Sequence, residues 1–154
     1  MIYMNLGLIF VQILGFVAWI LILLSYHRKN TDMILVFHIL AATFFAIHYL
    51  LLDAYSGFVI CTFEMIRDYL YYKTDKDKYI FLFSTFFYVV VGVFIYGGLL
   101  SLFPLFASFL DGFFLTKKKK IAVLGSIIVY ILWFAYDIFV KSYSGMFADI
   151  VVIL

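Results

Sequence analysis

Long apolar blocks broken by short polar stretches set the pattern of this chain, and most blocks approach the roughly twenty residues a helix needs to cross a hydrocarbon core. They predict helices over 6–24, 33–52, 57–72, 79–98, 99–115 and 121–140, and a seventh segment opens at Tyr143-Ser144-Gly145. The basic loop 26–32 separates the first two helices. Only the turn 53–57 separates the second from the third, which makes them an antiparallel hairpin. The charged stretch 73–78 precedes the fourth helix, and Lys117-Lys118-Lys119-Lys120 precedes the sixth. Pro104, the single proline, should start or kink the fifth helix, because proline removes a backbone donor and clashes with the preceding turn. The seventh segment reaches Leu154 after about half a crossing, so a helix continuing past Leu154 is expected; an end at that depth would leave carbonyls unsatisfied in lipid.

Composition turns these blocks into membrane spans. With 68% hydrophobic, 23% aromatic and 13% charged residues in 154, and a mean hydropathy of +1.15, the chain has more apolar surface than a water-soluble core of this size can bury. The expected fold is an all-α membrane protein of seven transmembrane helices, the last one truncated. The N-terminal MIYMNLGL lacks a basic n-region and a small-residue cleavage site, so its helix reads as retained. The lone Cys61 excludes an intramolecular disulfide.

Charge supplies the orientation. Arg28 and Lys29, then Lys73, Lys76 and Lys78, then Lys117 to Lys120, follow helices one, three and five, which alternation places on one face. The positive-inside rule makes that face cytoplasmic and puts the N-terminus outside and the C-terminus inside. Arg67, about one turn inside the end of the third helix, is expected to snorkel to the same face.

The fourth block has no counterpart, whereas its flanks repeat. Tyr55-Ser56-Gly57 recurs 88 positions later as Tyr143-Ser144-Gly145. The same offset sets Lys29 on Lys117, Ile39 on Ile127, Phe45 on Trp133 and His48 on Tyr136. The organisation expected is one membrane domain over 1–154, with a first repeat at 6–72, a linker helix at 79–98 and a second, incomplete repeat at 99–154. An odd helix between two three-helix repeats makes them enter the membrane in parallel, an arrangement of transporters whose solute site lies between the halves.

The runs GFVAWILILLSYHRKNTD, FFAIHYLLLDAYSG with its His48, and FEMIRDYLYY with its Arg67 resemble the YgjV-type bacterial inner-membrane proteins over nearly the whole chain. More distantly, the 3-1-3 plan resembles the SWEET, PQ-loop and PnuC transporters, although no proline-glutamine pair occurs. Trp133-Phe134-Ala135-Tyr136 is similar to the WxxW stretch of PnuC proteins, with Tyr136 in place of the second tryptophan. The resemblance implies a bacterial inner-membrane location and movement of a small solute.

Several residues could line a path. Glu64, near the middle of the third helix, should face the bundle interior, because an ionised carboxylate in lipid costs several kcal/mol; there it would pair or protonate, or lock packing through Arg67, with Asp68 one turn on. On the sixth helix Ser126, Tyr130, Trp133 and Asp137 share a narrow arc suited to a small ring-shaped solute, and the alternative is a packing or belt role for the aromatics. For Asp137, near the outer end, the alternative is simple hydration. His48, the repeat partner of Tyr136, either belongs to an outer vestibule or is a buried histidine held by a backbone carbonyl. It lies about 80° round the helix from His38, so the two do not form a zinc pair. Gln12 shares a face with Gly15 and Trp19 and either lines the path or bonds a neighbouring helix. Ser101, Pro104, Ser108 and Gly112 make a small-residue face that permits close approach.

No phosphate loop, metal-ligand spacing or nucleophile with a base is legible, so no enzyme, metal or cofactor is expected. The basic residues are accounted for by topology and not by nucleic acid. The expected partners are the lipid bilayer and a small solute, and a homo-oligomer is compatible with the pattern. The rival reading is a non-transporting interaction, assembly or sensing protein with the same bundle. Convergence of the polar residues on one cavity separates the two.

Overall fold

The computed structural model describes residues 2–74, 77–94, 98–115 and 119–153. They form α1 (Ile2–Tyr26), α2 (Thr31–Leu51), α3 (Tyr55–Lys73), α4 (Asp77–Phe94), a short 3-10 turn (Leu99–Ser101), α5 (Leu102–Leu115), α6 (Lys119–Val140) and α7 (Tyr143–Ile153), with no strand among them. Lys76, Lys117, Lys118, the stretch 95–97 expected to end the fourth helix, and Leu154 lie outside the described residues.

Local chemistry sets the helix ends. Asn30 caps α2, its side chain accepting from the Asp32 amide at 2.8 Å, and the Asp32 carboxylate in the first turn suits the positive end of the helix dipole. Pro104 sits in the first turn of α5, where its missing N–H removes no intrahelical bond, so the helix starts there without a kink. Gly98 holds φ at 101°, a conformation open to glycine, and turns the chain into the 3-10 segment.

The ends of α2 and α6 close in the same way, 88 residues apart. At α2, Asp53 takes φ 57° and the Ala54 amide returns to the Tyr49 carbonyl at 2.9 Å; at α6, Lys141 takes φ 58° and the Ser142 amide returns to the Asp137 carbonyl at 3.0 Å. Each closure satisfies last-turn carbonyls while holding a non-glycine residue in a left-handed conformation that costs about 1–2 kcal/mol. The next helix then starts alike, with Phe58 N–H to Ala54 O at 3.0 Å and Met146 N–H to Ser142 O at 2.9 Å. Both α3 and α7 begin at the tyrosine of their Tyr-Ser-Gly, so α3 starts two residues before the sequence pattern placed it.

α1 packs on α2 and α2 on α3; α5 packs on α6 and α6 on α7. The two sets meet where α1 touches α7 and where α3 touches α5, and α4 lies against α3 and α5. One stripe of α4, Ile80, Ser84, Tyr88 and Val91, is buried at helical spacing, with Tyr88 and Val91 packed on Ile60 and Phe63 of α3. Its other side is bare, with Phe86, Val93 and Phe94 at 68, 72 and 83% exposed.

Bare apolar surface is general. Gly7–Ser25 and Thr31–Leu51 are long and apolar enough to cross a membrane, and only 17% of the first and 28% of the second is buried in the bundle. A core helix of a soluble protein would be mostly buried; these present leucine, isoleucine and phenylalanine outward. The apolar segments at 78–94, 99–114, 124–140 and 143–153 are shorter.

Candidate functional site

Between the two helix sets lies a cavity of about 110 Å³. α1, α2, α3, α5, α6 and α7 all line it, and none of the described α4 residues does. Its walls are aromatic, from Trp19, Phe45, Tyr49, Tyr130 and Trp133, and its ends carry ionisable side chains.

Arg67 organises one end. It is 2% exposed, donates from Nε to Asp68 Oδ1 at 3.0 Å and from Nη2 to Asp111 Oδ2 at 2.8 Å, and reaches the Ser108 carbonyl. The expectation that Arg67 snorkels to the interface is therefore corrected: two carboxylates, one 44 residues away on α5, hold the guanidinium inward. Neither ion buried alone would be tolerated, but the planar fork engages both acids at once. Glu64 does not pair with Arg67; its Oε1 accepts from the Ser108 hydroxyl. His38 closes this end, with Nε2 3.1 Å from Ser25 Oγ and Nδ1 3.9 Å from Asp68 Oδ2. Gly112 of α5 lies beside the guanidinium, and a Cβ there would meet it in ordinary van der Waals contact.

Asp137 and Asp149 mark the other end. Asp137 is 1% exposed and accepts from the Tyr49 hydroxyl at 2.8 Å, which rules out the alternative of a merely hydrated outer residue. Tyr49 and Asp137 are themselves 88 positions apart, and the Tyr49 ring stacks on Trp133 at 5.6 Å.

Beyond Asp137 the two helix sets are laced together, next to the turns at Asp53 and Lys141. Tyr136 crosses from α6 to the start of α3, where its hydroxyl accepts from the Gly57 amide at 2.9 Å and meets Ser56 Oγ at 2.8 Å. His48 crosses the other way: Nδ1–H donates to the Val11 carbonyl at 2.8 Å, leaving Nε2 to accept from Ser142 Oγ at 2.9 Å. Gln12 ties α1 to α7, its carbonyl accepting from the Ser144 amide and hydroxyl at 2.9 and 3.0 Å. These contacts form a seal.

Glu64, Tyr130, Trp133 and Asp137 thus come together on the cavity, whereas His48, Tyr136 and Gln12 lie in the seal and the half-buried Ser126 does not line the cavity. Sequence reasoning missed Tyr49, Asp111 and His38. Asp111 had a signal as a carboxylate inside an apolar segment, and Tyr49 had one as the repeat partner of Asp137.

An all-helical bundle with a lipid-like exterior and a charged interior cavity is the structure of an integral membrane protein. The chain matches the family model Imp-YgjV, bacterial inner membrane protein, over residues 9–154, and it belongs to that family. No curated protein and no solved structure matches it.

Proposed function

We propose that the protein carries a small solute across the inner membrane through the cavity between its two helix sets. The observation that carries this reading is convergence. Carboxylates, a guanidinium and aromatic rings from six helices face one space, and the odd helix α4 stays outside it. Ionisable groups inside a membrane bundle are costly and mark pathways. In this reading the helix sets 2–73 and 99–153 are parallel repeats that rock against each other about a central site. Support comes from the shared offset: the starts of α2 and α3, the left-handed turns and the turn hydrogen bonds recur 88 residues on.

Seven crossings with the N-terminus outside follow from the same reading. Arg28, Lys29, Lys73 and Lys78 then face the cytoplasm, and the seal at His48, Gln12 and Tyr136 closes the outer side. Exposure of the cavity to the outside requires those bonds to break.

Cys61 provides the test, because the single cysteine lines the cavity and is 2% exposed. A small membrane-impermeant methanethiosulfonate is applied to inside-out and to right-side-out vesicles. Alternating exposure gives modification of Cys61 from both sides. Modification from one side only, or none before denaturation, overturns the proposal.

A further inference from the structure

Five carboxyl groups and a single guanidinium line the cavity. Arg67 is taken up by Asp68 and Asp111, and among the described residues no ion pair reaches Glu64, Asp137 or Asp149. Glu64 has the Ser108 hydroxyl and Asp137 has the Tyr49 hydroxyl. Asp149 differs from both. It is 5% exposed, lines the cavity, and its Oδ2 has no hydrogen-bond partner. A buried carboxylate oxygen left without donor or counter-ion is among the least favourable arrangements a fold can keep.

The surroundings fit a particular counter-ion. Tyr49 and Trp133 stack with rings 16° from parallel, and Trp19, packed edge-on to Phe147 at 5.4 Å, faces the same space with its indole N–H unpartnered. Aromatic faces beside carboxylates are the chemistry that binds organic ammonium ions, through ring quadrupoles and charge-assisted hydrogen bonds. Gly145 keeps the Asp137 carboxylate in place, since any side chain there would collide with it. The described residues hold no set of three His, Cys, Asp or Glu suited to a metal ion.

Building on the transport reading, we infer that the solute is a small organic cation, a protonated or quaternary amine with an apolar body, whose positive head sits between Asp149 and Asp137 against the rings of Trp133, Tyr49 and Trp19. The site supplies the negative charge and the solute supplies the missing cation. The two acids and Tyr49 orient the head, and the apolar body lies along the walls towards Phe45.

Both tryptophans of the chain line the cavity, so intrinsic tryptophan fluorescence of the full chain in nanodiscs reads binding directly. Phenethylamine and tetramethylammonium are titrated beside the neutral 2-phenylethanol, the anionic phenylacetate, and sodium chloride at equal ionic strength. Saturable fluorescence change with the two cations alone is the expected result, weakened about tenfold or more in Asp149→Asn. Asp149→Glu restores binding, and Asp149→Asn melts no lower than the native protein, because the oxygen it alters has no partner to lose. Equal response to the neutral or anionic analogue, no saturable response to either amine, or full binding in Asp149→Asn overturns the inference. The transport reading fails separately. Amine binding with an inert Cys61 leaves a cation-binding protein that does not alternate, and a Cys61 modified from both sides without amine binding leaves a transporter of another solute.

Discussion

The side chain most exacting in its surroundings is Arg67, because a fully buried guanidinium is tolerated only while Asp68 and Asp111 neutralise it. Arg67→Met leaves the buried Asp68 and the partly exposed Asp111 without their cation and is expected to lower stability by about 3–5 kcal/mol, read as a fall in melting temperature in detergent. Arg67→Lys recovers only part of that, since an ammonium lacks the fork that spans both acids. Glu64→Leu behaves differently. It removes only the Ser108 hydrogen bond and strands no cation, so a loss of about 1–2 kcal/mol is expected. A collapse of Glu64→Leu comparable to that of Arg67→Met would show that Glu64 belongs to the ion cluster. The inward set of Arg67 was not legible from its neighbours in the chain, because its decisive partner Asp111 arrives through the contact of α3 with α5. Glu64 was legible, since the cost of an ionised group in lipid dictates its direction before any partner is known.

At the scale of elements, glycine marks where helices approach most closely. On α1, a Cβ at Gly15 would overlap Ser144 and press on His48, whereas one at Gly7 would meet nothing within 4 Å. Gly15→Val is therefore expected to destabilise by about 1–3 kcal/mol through overpacking at the junction of α1 with α7, and Gly7→Ala to be neutral or to stabilise by up to about 1 kcal/mol through helix propensity. Thermal unfolding of the two variants side by side checks the contrast. Tyr136→Phe tests the companion junction of α6 with α3: it strips the Gly57 amide of its acceptor and should cost about 1–3 kcal/mol. Helix existence was readable from apolar blocks, and the ends of α1 and α6 from the basic loop and the Tyr-Ser-Gly turn. The seal was not readable in the same way. Gln12, His48 and Tyr136 each had a packing alternative beside the pathway one, and only the approach of α1 to α7 and of α6 to α3 decides between them.

At the scale of the whole molecule, the question is whether the two helix sets point the same way through the bilayer. Two observations bear on it. The closing turns at Asp53 and Lys141 share one geometry at an offset of 88 residues, and α4 is the single helix between the sets that leaves the cavity unlined. If α4 crosses, the sets are parallel; if it lies along the interface, they are antiparallel. Charge weighs for the crossing, because Arg28 and Lys29 at the start of the first hairpin match the lysine run before α6, and cytoplasmic loops gather lysine and arginine. The prediction uses four positions related in pairs by that offset. In a Cys61→Ala background, single cysteines at Lys29 and Lys117 should react with an impermeant maleimide only in inside-out vesicles, and single cysteines at Asp53 and Lys141 only in right-side-out ones. Both turn positions are exposed in the structure, so access does not depend on opening the bundle. Reaction of Asp53 and Lys141 from opposite sides would make the sets antiparallel, remove α4 from the list of crossings, and with it remove the geometry in which two like halves rock about one cavity.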